Sequence, residues 1–218
     1  MRHSNIALFV PHRGCPHQCD FCNQHRITGA QSALTAEDVT TAVETALQSG
    51  KCRPEATEVA FFGGSFTAIP KEVQQQLLEA AYPYVEQGQV SGIRISTRPD
   101  CIDKEILAFL KDYGVTAVVL GAQSMNDRVL AQVHRGHTAE DVANASRLIR
   151  SFGFSLGLQM MTGLPGDSPE AAMETARELL ALQPDTMRIY PTLVLKDTPL
   201  AEQYRAGTYV PMSLEDAV

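Results

Sequence analysis

No stretch of this sequence stays apolar long enough to cross a bilayer. The longest apolar runs, Ile6–Pro11 and Gly114–Ala122, fall far short of the roughly 20 residues a spanning helix needs. The N-terminus, Met-Arg-His-Ser, lacks the apolar stretch of a secretion signal. The expected location is therefore cytoplasmic, with no membrane partner. Positive charge is also scarce: 18 lysines and arginines face 25 aspartates and glutamates, a net charge of −7. That balance argues against broad nucleic-acid affinity, which needs a basic surface to displace counterions. The deficit is uneven. The first 26 residues hold Arg2, Arg13, Arg26, His3, His12, His17 and His25 against one acid, Asp20. Such an excess suits an anion, or is an ordinary solvated loop. Low-complexity segments and linkers are lacking too, so the expectation is a single domain over residues 1–218. Apolar residues make up 44 % of the chain, enough for a packed core without covalent staples.

Cysteine is rare, and its distribution is informative. There are five, an odd number, which is a poor disulfide framework. Three of them, Cys15, Cys19 and Cys22, crowd into "GCPHQCDFC" with the spacing C-x3-C-x2-C. In a reducing compartment such a group more often binds metal or does redox work. Cys52 and Cys101 stand alone and read as small buried or half-buried residues.

Short β-rich runs alternate with amphipathic helical patterns. The strands are expected at Ile6–Val10, Glu58–Phe62, Gly92–Thr97, Val115–Leu120, Phe154–Met161 and Thr186–Tyr190. Thr35 with Asp38 forms a capping-box variant that opens a helix with Val39, Val43, Ala46 and Leu47 on one face, closed at Gly50. Further helices are expected at Lys71–Gln87, Asp103–Tyr113, from the Thr138 cap to Phe152, and at Glu170–Leu182 behind the Ser168 cap and Pro169. Pro83 is expected to kink the second helix or end it early. Strictly alternating strands and helices imply right-handed crossovers and a parallel sheet. The fold class is α/β: a (β/α)6 three-quarter TIM-like barrel, with an open doubly wound sheet as the other option. The closing "PMSLEDAV" reads as the start of a helix capped by Ser213, so the chain is expected to be truncated within 192–218.

The cysteine loop follows the first strand, at the C-terminal end of the parallel sheet, where βα loops build active sites. Zinc needs four protein ligands in a closed structural shell, and Cys52, His12, His17 or His25 are the candidates for the fourth. Three thiolates on a 4Fe–4S cluster leave one iron open to a substrate. One CxxC rather than the paired elements of zinc modules favours the cluster, both over zinc and over an incidental group of thiols.

The sequence resembles the radical S-adenosylmethionine (radical SAM) superfamily. The resemblance is carried by "GCPHQCDFCNQ", "FFGGSF", "STRPD", "LGAQS", "RGHT", "GLP" and "PDTMRIYPTLV" in that order. It is nearest to the radical domain of the Elongator catalytic subunit and its bacterial relatives, and more distant from oxygen-independent coproporphyrinogen oxidase. The resemblance implies that Cys15, Cys19 and Cys22 hold a 4Fe–4S cluster whose fourth iron is chelated by S-adenosylmethionine. It places Phe21 near the adenine and Gly63–Gly64 at the methionine amino group; Ser65 stands where many members carry an acid, and Elongator-like proteins do not. Gln123 and Arg135 match residues that contact the ligand in coproporphyrinogen-oxidase-like members. Arg98 is read either as a carboxylate partner or as an ion pair with Asp100. Gln159 and Met160 are read as pocket-lining or as core, and Tyr190 as facing the cavity or packing. His134 and His137 flank Arg135 on a loop, where solvated polar groups are expected.

The implied activity is reductive cleavage of S-adenosylmethionine to a 5′-deoxyadenosyl radical that abstracts hydrogen from a substrate. The electron donor would be a flavodoxin or ferredoxin. Elongator-like proteins modify wobble uridine in tRNA, which makes a tRNA base a candidate substrate. The acidic balance, and the absence from these 218 residues of an acetyltransferase domain and a basic N-terminal segment, weigh against it. The alternative is a zinc- or iron–sulfur-bearing binding module without radical chemistry.

Overall fold

The computed structural model describes residues 3–10, 15, 18–23, 27, 29 and 32–217. Six strands form one sheet in the order β1-β2-β3-β4-β5-β6, and every neighbouring pair is parallel. They are β1 Ser4–Val10, β2 Thr57–Gly63, β3 Gly92–Thr97, β4 Val115–Gln123, β5 Ser155–Thr162 and β6 Thr186–Pro191. Helices α1 Ala36–Gln48, α2 Lys71–Glu86, α3 Lys104–Asp112, α4 Asp127–Gln132, α5 Ala139–Ser151 and α6 Pro169–Ala181 lie between the strands, and α7 Pro199–Arg205 and α8 Leu214–Ala217 follow β6. The sheet curls into a partial TIM-like barrel. No helix among the described residues is long and apolar enough to cross a membrane.

The period of two decides which side chains do what. One face of the sheet carries Ile6, Leu8, Val59, Phe61, Ile93, Ile95, Val118, Leu120, Leu156, Leu158 and Met160, all buried in the main core against the helices. Alternate residues on the other face include Ala7, Phe9, Phe62, Ser96, Val119, Gly121, Gln159, Met161, Arg188 and Tyr190, and these line a cavity inside the curl. A parallel sheet covered by helices on one side therefore keeps its concave side for a ligand. At the opposite end of the barrel, Glu58 and Arg94 form a buried ion pair at 2.6 Å.

The helix ends follow local chemistry. Thr35 and Thr138 each form a full capping box, with Asp38 and Asp141. Asp103 and Ser168 cap α3 and α6. Ser213 caps α8 by accepting from the Asp216 N–H. Three differences from the expected elements have physical causes. Helix α2 runs through Pro83 to Glu86 rather than ending early; the ring sits in the last turn, where one backbone bond is lost and the Gln87 N–H still closes on the Pro83 carbonyl. Helices α4 and α7 were not expected, because each is a single short stretch with too few turns to show a period. Strand β4 runs on to Gln123 through a bulge between Gly121 and Gln123, where Gln123 takes φ 68°.

Candidate functional site

The cavity has a volume of about 620 Å³ and opens at the C-terminal ends of the strands. Cys15, Cys19, Cys22, Phe21, Gly63, Gly64, Arg98, Gln123, Arg135 and Gln159 all line it. Residues spread from position 15 to 159 meet there because most sit at strand ends or on the segments that follow them at the same rim, and Gln159 on the concave face of β5. The described lining includes three arginines, Arg98, Arg135 and Arg188, and no carboxylate. In a protein of net charge −7, this is a local electropositive hollow suited to anionic groups.

Cys19 is buried, and Cys15 and Cys22 are half-buried. A tight turn links the last two, with the Cys22 N–H on the Cys19 carbonyl at 3.0 Å. Arg135 bonds through all three of its guanidinium nitrogens. Its Nη1 donates to Cys19 Sγ at 3.4 Å, Nη2 to the Gly121 carbonyl at 2.7 Å and Nε to His137 Nε2 at 3.1 Å. Gly121 leaves room for this arrangement, since a Cβ there would lie 2.9 Å from Gln123 Nε2 and 3.0 Å from Arg135 Nη2 and both side chains would have to shift. His137 is buried, contrary to the expectation of a solvated loop residue. Burial, and then the Arg135 charge, lower its pKa to about 4. The neutral ring accepts from Arg135 and faces the Thr138 carbonyl with Nδ1. His134 is exposed, but its Nδ1 lies 2.8 Å from Asp20 Oδ1.

Arg98 makes the ion pair with Asp100, through Nε at 2.8 Å and Nη2 at 2.7 Å, and Nη2 also reaches the Arg135 carbonyl. Burial opposes its charge, but the Asp100 hydrogen bonds and charge prevail and hold its pKa above the ordinary value. The same pairing outweighs burial at Asp100 and lowers that carboxyl. Among the described residues, Arg98 Nη1 has no hydrogen-bond partner, nor has Gln123 Oε1. One is a donor seeking an acceptor, the other an acceptor seeking a donor, and both residues line the cavity. The bulge at Gln123 aims its amide there, a common use of bulges beside active sites. Gly63, at φ 105°, holds a backbone conformation that side chains rarely allow.

The strand period also divides the two readings at the end of β5. Gln159 lines the cavity, whereas Met160 is buried in the main core, and Met161 takes the lining position instead. Tyr190 faces the cavity and is partly exposed. Several lining residues drew no attention in the sequence. Phe9 and Phe62, with ring centroids 6.3 Å apart, and Arg188, which stands 5.1 Å from the Phe62 centroid, share a face that a count by twos from Gln159 and Tyr190 would have marked.

The donor set can be tested against the two metal readings. Among the described residues no three His, Cys, Asp or Glu side chains are placed to hold a single metal ion. The described lining supplies three cysteines and no histidine or carboxylate, and Cys52 packs against the main core instead. His12, His17 and His25, the other candidates for a fourth zinc ligand, lie outside the described residues. Three cysteines lining one hollow, one of them beside an arginine, fit a three-cysteine cluster.

Comparison with known proteins agrees. The Radical SAM superfamily pattern matches residues 9–179, and the Radical_SAM C-terminal domain pattern matches residues 184–218. The tRNA uridine(34) acetyltransferase of Methanocaldococcus infernus is 38 % identical over 182 residues, covering 74 % of this chain and 34 % of that protein. Elongator complex protein 3 of Homo sapiens is 31 % identical over 184 residues, covering 75 % and 34 %. Among solved structures, the archaeal Elp3 of Methanocaldococcus infernus superposes with a TM-score of 0.75 at 24 % identity, covering 98 % of this chain and 51 % of that one. The chain thus spans between about a third and about half of the length of these proteins. With the superfamily pattern running through most of its length, and its cysteine loop at the rim of a partial parallel barrel, the chain belongs to the radical SAM superfamily of enzymes.

Proposed function

We propose that residues 1–218 act as one radical SAM core, with a 4Fe–4S cluster on Cys15, Cys19 and Cys22 and S-adenosylmethionine in the adjoining cavity. The observation that carries this reading is the convergence of all ten expected site residues on one electropositive hollow. Cys15, Cys19 and Cys22 would hold the cluster, which when bound would supply one-electron reductive cleavage of S-adenosylmethionine to methionine and a 5′-deoxyadenosyl radical for hydrogen abstraction from a substrate. The chain's part is to hold and shield. Arg98 is assigned to the methionine carboxylate and Gln123 to a ribose hydroxyl. Gly63 and Gly64 let the backbone approach the amino group. Phe21 and Gln159 form walls of the nucleoside site. Arg135, bound to Cys19 Sγ, offsets thiolate charge rather than reaching out to the ligand. A flavodoxin or ferredoxin is the proposed donor, in the reducing cytoplasm that free thiols such as Cys52 and Cys101 suit. A tRNA base is the substrate reading that the named relatives support.

Anaerobic reconstitution tests the chemistry. Dithionite and S-adenosylmethionine are expected to yield 5′-deoxyadenosine and methionine, with both lost in Cys15→Ala, Cys19→Ala or Cys22→Ala. Product formation that survives any one of these changes, or protein that takes up stoichiometric zinc in place of iron and sulfide, overturns the reading. A gel shift with tRNA at physiological salt tests the substrate separately: binding is expected, and its absence removes RNA while leaving the radical chemistry standing.

A further inference from the structure

Asp20 lies between two of the proposed cluster ligands, and all its polar groups are spoken for. Its N–H donates to the Val133 carbonyl at 3.2 Å, and its own carbonyl accepts from the Leu200 N–H at 3.0 Å. Its carboxylate accepts from His134 Nδ1 at 2.8 Å through Oδ1 and from Gln203 Nε2 at 3.0 Å through Oδ2. The side chain is 6 % exposed. One residue of a short loop is therefore fixed at four points to two segments more than a hundred positions away. The first is the turn after α4; the second is α7, beyond the last strand. Asn23, just past Cys22, adds a further tie from Nδ2 to the Asp197 carbonyl at 3.2 Å.

Helix α7 is itself held at its far end. Tyr209 Oη donates to the Gly163 carbonyl at 2.7 Å, in the loop after β5. Thr198 caps the helix, and Leu200 and Ala201 are buried. The segment from Leu193 to Tyr209 thus runs across the rim from the β5 loop to the cysteine loop, and Leu193 and Leu195 form part of the cavity wall on the way. The turn after α4 matters as much. His134 sits in the left-handed region at φ 52°, and the next residue is Arg135, whose guanidinium meets Cys19 Sγ. Holding His134 therefore sets two things together: where the Cys19 sulfur lies, and where the cation that faces it lies.

We propose that Asp20 is a positioning residue for the cluster, and that through Gln203 and Leu200 it makes α7 part of the cluster site. The inference rests on the proposed three-cysteine cluster. A carboxylate suits the task because it offers acceptors on both oxygens to two donors. An alanine leaves both donors empty. An asparagine keeps one acceptor for His134, and Gln203 can turn its amide to present oxygen to the new NH2, so Asp20→Asn retains the latch that Asp20→Ala loses. Gln203→Ala cuts only the tie to α7.

The test uses the full chain in two arms. In the metal-free protein, amide exchange at Asp20 and Leu200 is expected to quicken about 10-fold or more in Asp20→Ala, in keeping with the loss of hydrogen bonds to a charged group. In the reconstituted protein, the half-life of the cluster under chelator challenge is expected to fall about 10-fold or more in Asp20→Ala, as for other partners behind metal ligands. The loss in Gln203→Ala is expected to be smaller, with recovery in Asp20→Asn, at unchanged far-ultraviolet circular dichroism. A merely structural role would not shift the electron paramagnetic resonance signal of the residual cluster. Wild-type exchange at Asp20 and Leu200 in Asp20→Ala, or wild-type cluster half-life in both Asp20→Ala and Gln203→Ala, overturns the proposal while the function stands. Wild-type protein that takes up no cluster overturns the function, and the positioning role with it; the exchange arm reports on the latch regardless. If Asp20→Ala does not fold, Gln203→Ala and Asp20→Asn decide.

Discussion

Arg135 and His137 show how one buried pair sets the charge beside the cysteines. Arginine keeps its proton under almost any condition, so the adjustable member is the imidazole. Burial and the neighbouring guanidinium lower its pKa to about 4, which leaves Nε2 free to accept from Arg135 Nε. The consequence for stability has a definite sign. Above about pH 6.5, His137 is neutral in both folded and unfolded chains, and its contribution is complete. Between 6.5 and 4 the unfolded chain takes a proton that the folded one refuses, so stability falls as pH falls. That interval is worth roughly 3 kcal/mol. Replacing His137 with glutamine, whose carbonyl accepts from Arg135 without titrating, is expected to flatten the acid limb between these two values. Urea midpoints measured from pH 7 to pH 4 check this; equal slopes for variant and wild type would show that His137 does not govern the limb.

At the scale of elements, the helix caps carry local information that the barrel then uses. Thr35 holds the Asp38 N–H through Oγ1, and Asp38 returns a bond to the Thr35 N–H. Thr35→Ala is expected to cost about 1 kcal/mol, a fall in Tm of roughly 2–4 °C by calorimetry, and Asp38→Ala a similar amount; loss of neither would mean that tertiary packing alone sets the start of α1. Such signals are why the strand and long-helix order was legible in the sequence: cap, stripe and glycine recur at each βα unit. What was not legible has a common cause. The short helices α4 and α7 span too few turns to show a period, and α2 survives Pro83 because packing of Leu77, Leu78 and Ala81 outweighs one missing bond. The cavity-lining cysteines, Gly63, Gly64, Arg98, Gln123 and Arg135 were each singled out within a motif, whereas Asp20, Gly121 and Arg188 were not singled out. Asp20 matters through partners more than a hundred residues away, and Gly121 through the bulge that brings Arg135 against its carbonyl; neither leaves a local trace. Arg188 did leave one, since it alternates with Tyr190 on β6.

The whole molecule separates chemistry from support along the barrel axis. The lining cysteines, Arg98 and Arg135 lie at the C-terminal rim, while Glu58 and Arg94 pair at the opposite end. These two point inward on β2 and β3, are both about nine-tenths buried, and draw in Thr116 Oγ1 and His3 Nε2 around the carboxylate. A charge pair so placed gains its attraction in a poorly screened interior, and removing one member strands the other. Glu58→Gln keeps the shape and one acceptor but takes away the countercharge of Arg94. The expected loss is roughly 3 kcal/mol, or about 6–12 °C in Tm for a chain of this size. In parallel barrels the N-terminal end serves stability and the C-terminal end serves function. Iron and sulfide uptake by Glu58→Gln is therefore expected to equal that of wild type at temperatures well below its Tm, whereas changes at the rim should show the reverse pattern. Calorimetry set beside iron and sulfide analysis of the same preparation decides it. A variant that melts as wild type does, or one that folds but no longer takes up cluster, would mean that the two ends of the barrel are energetically coupled.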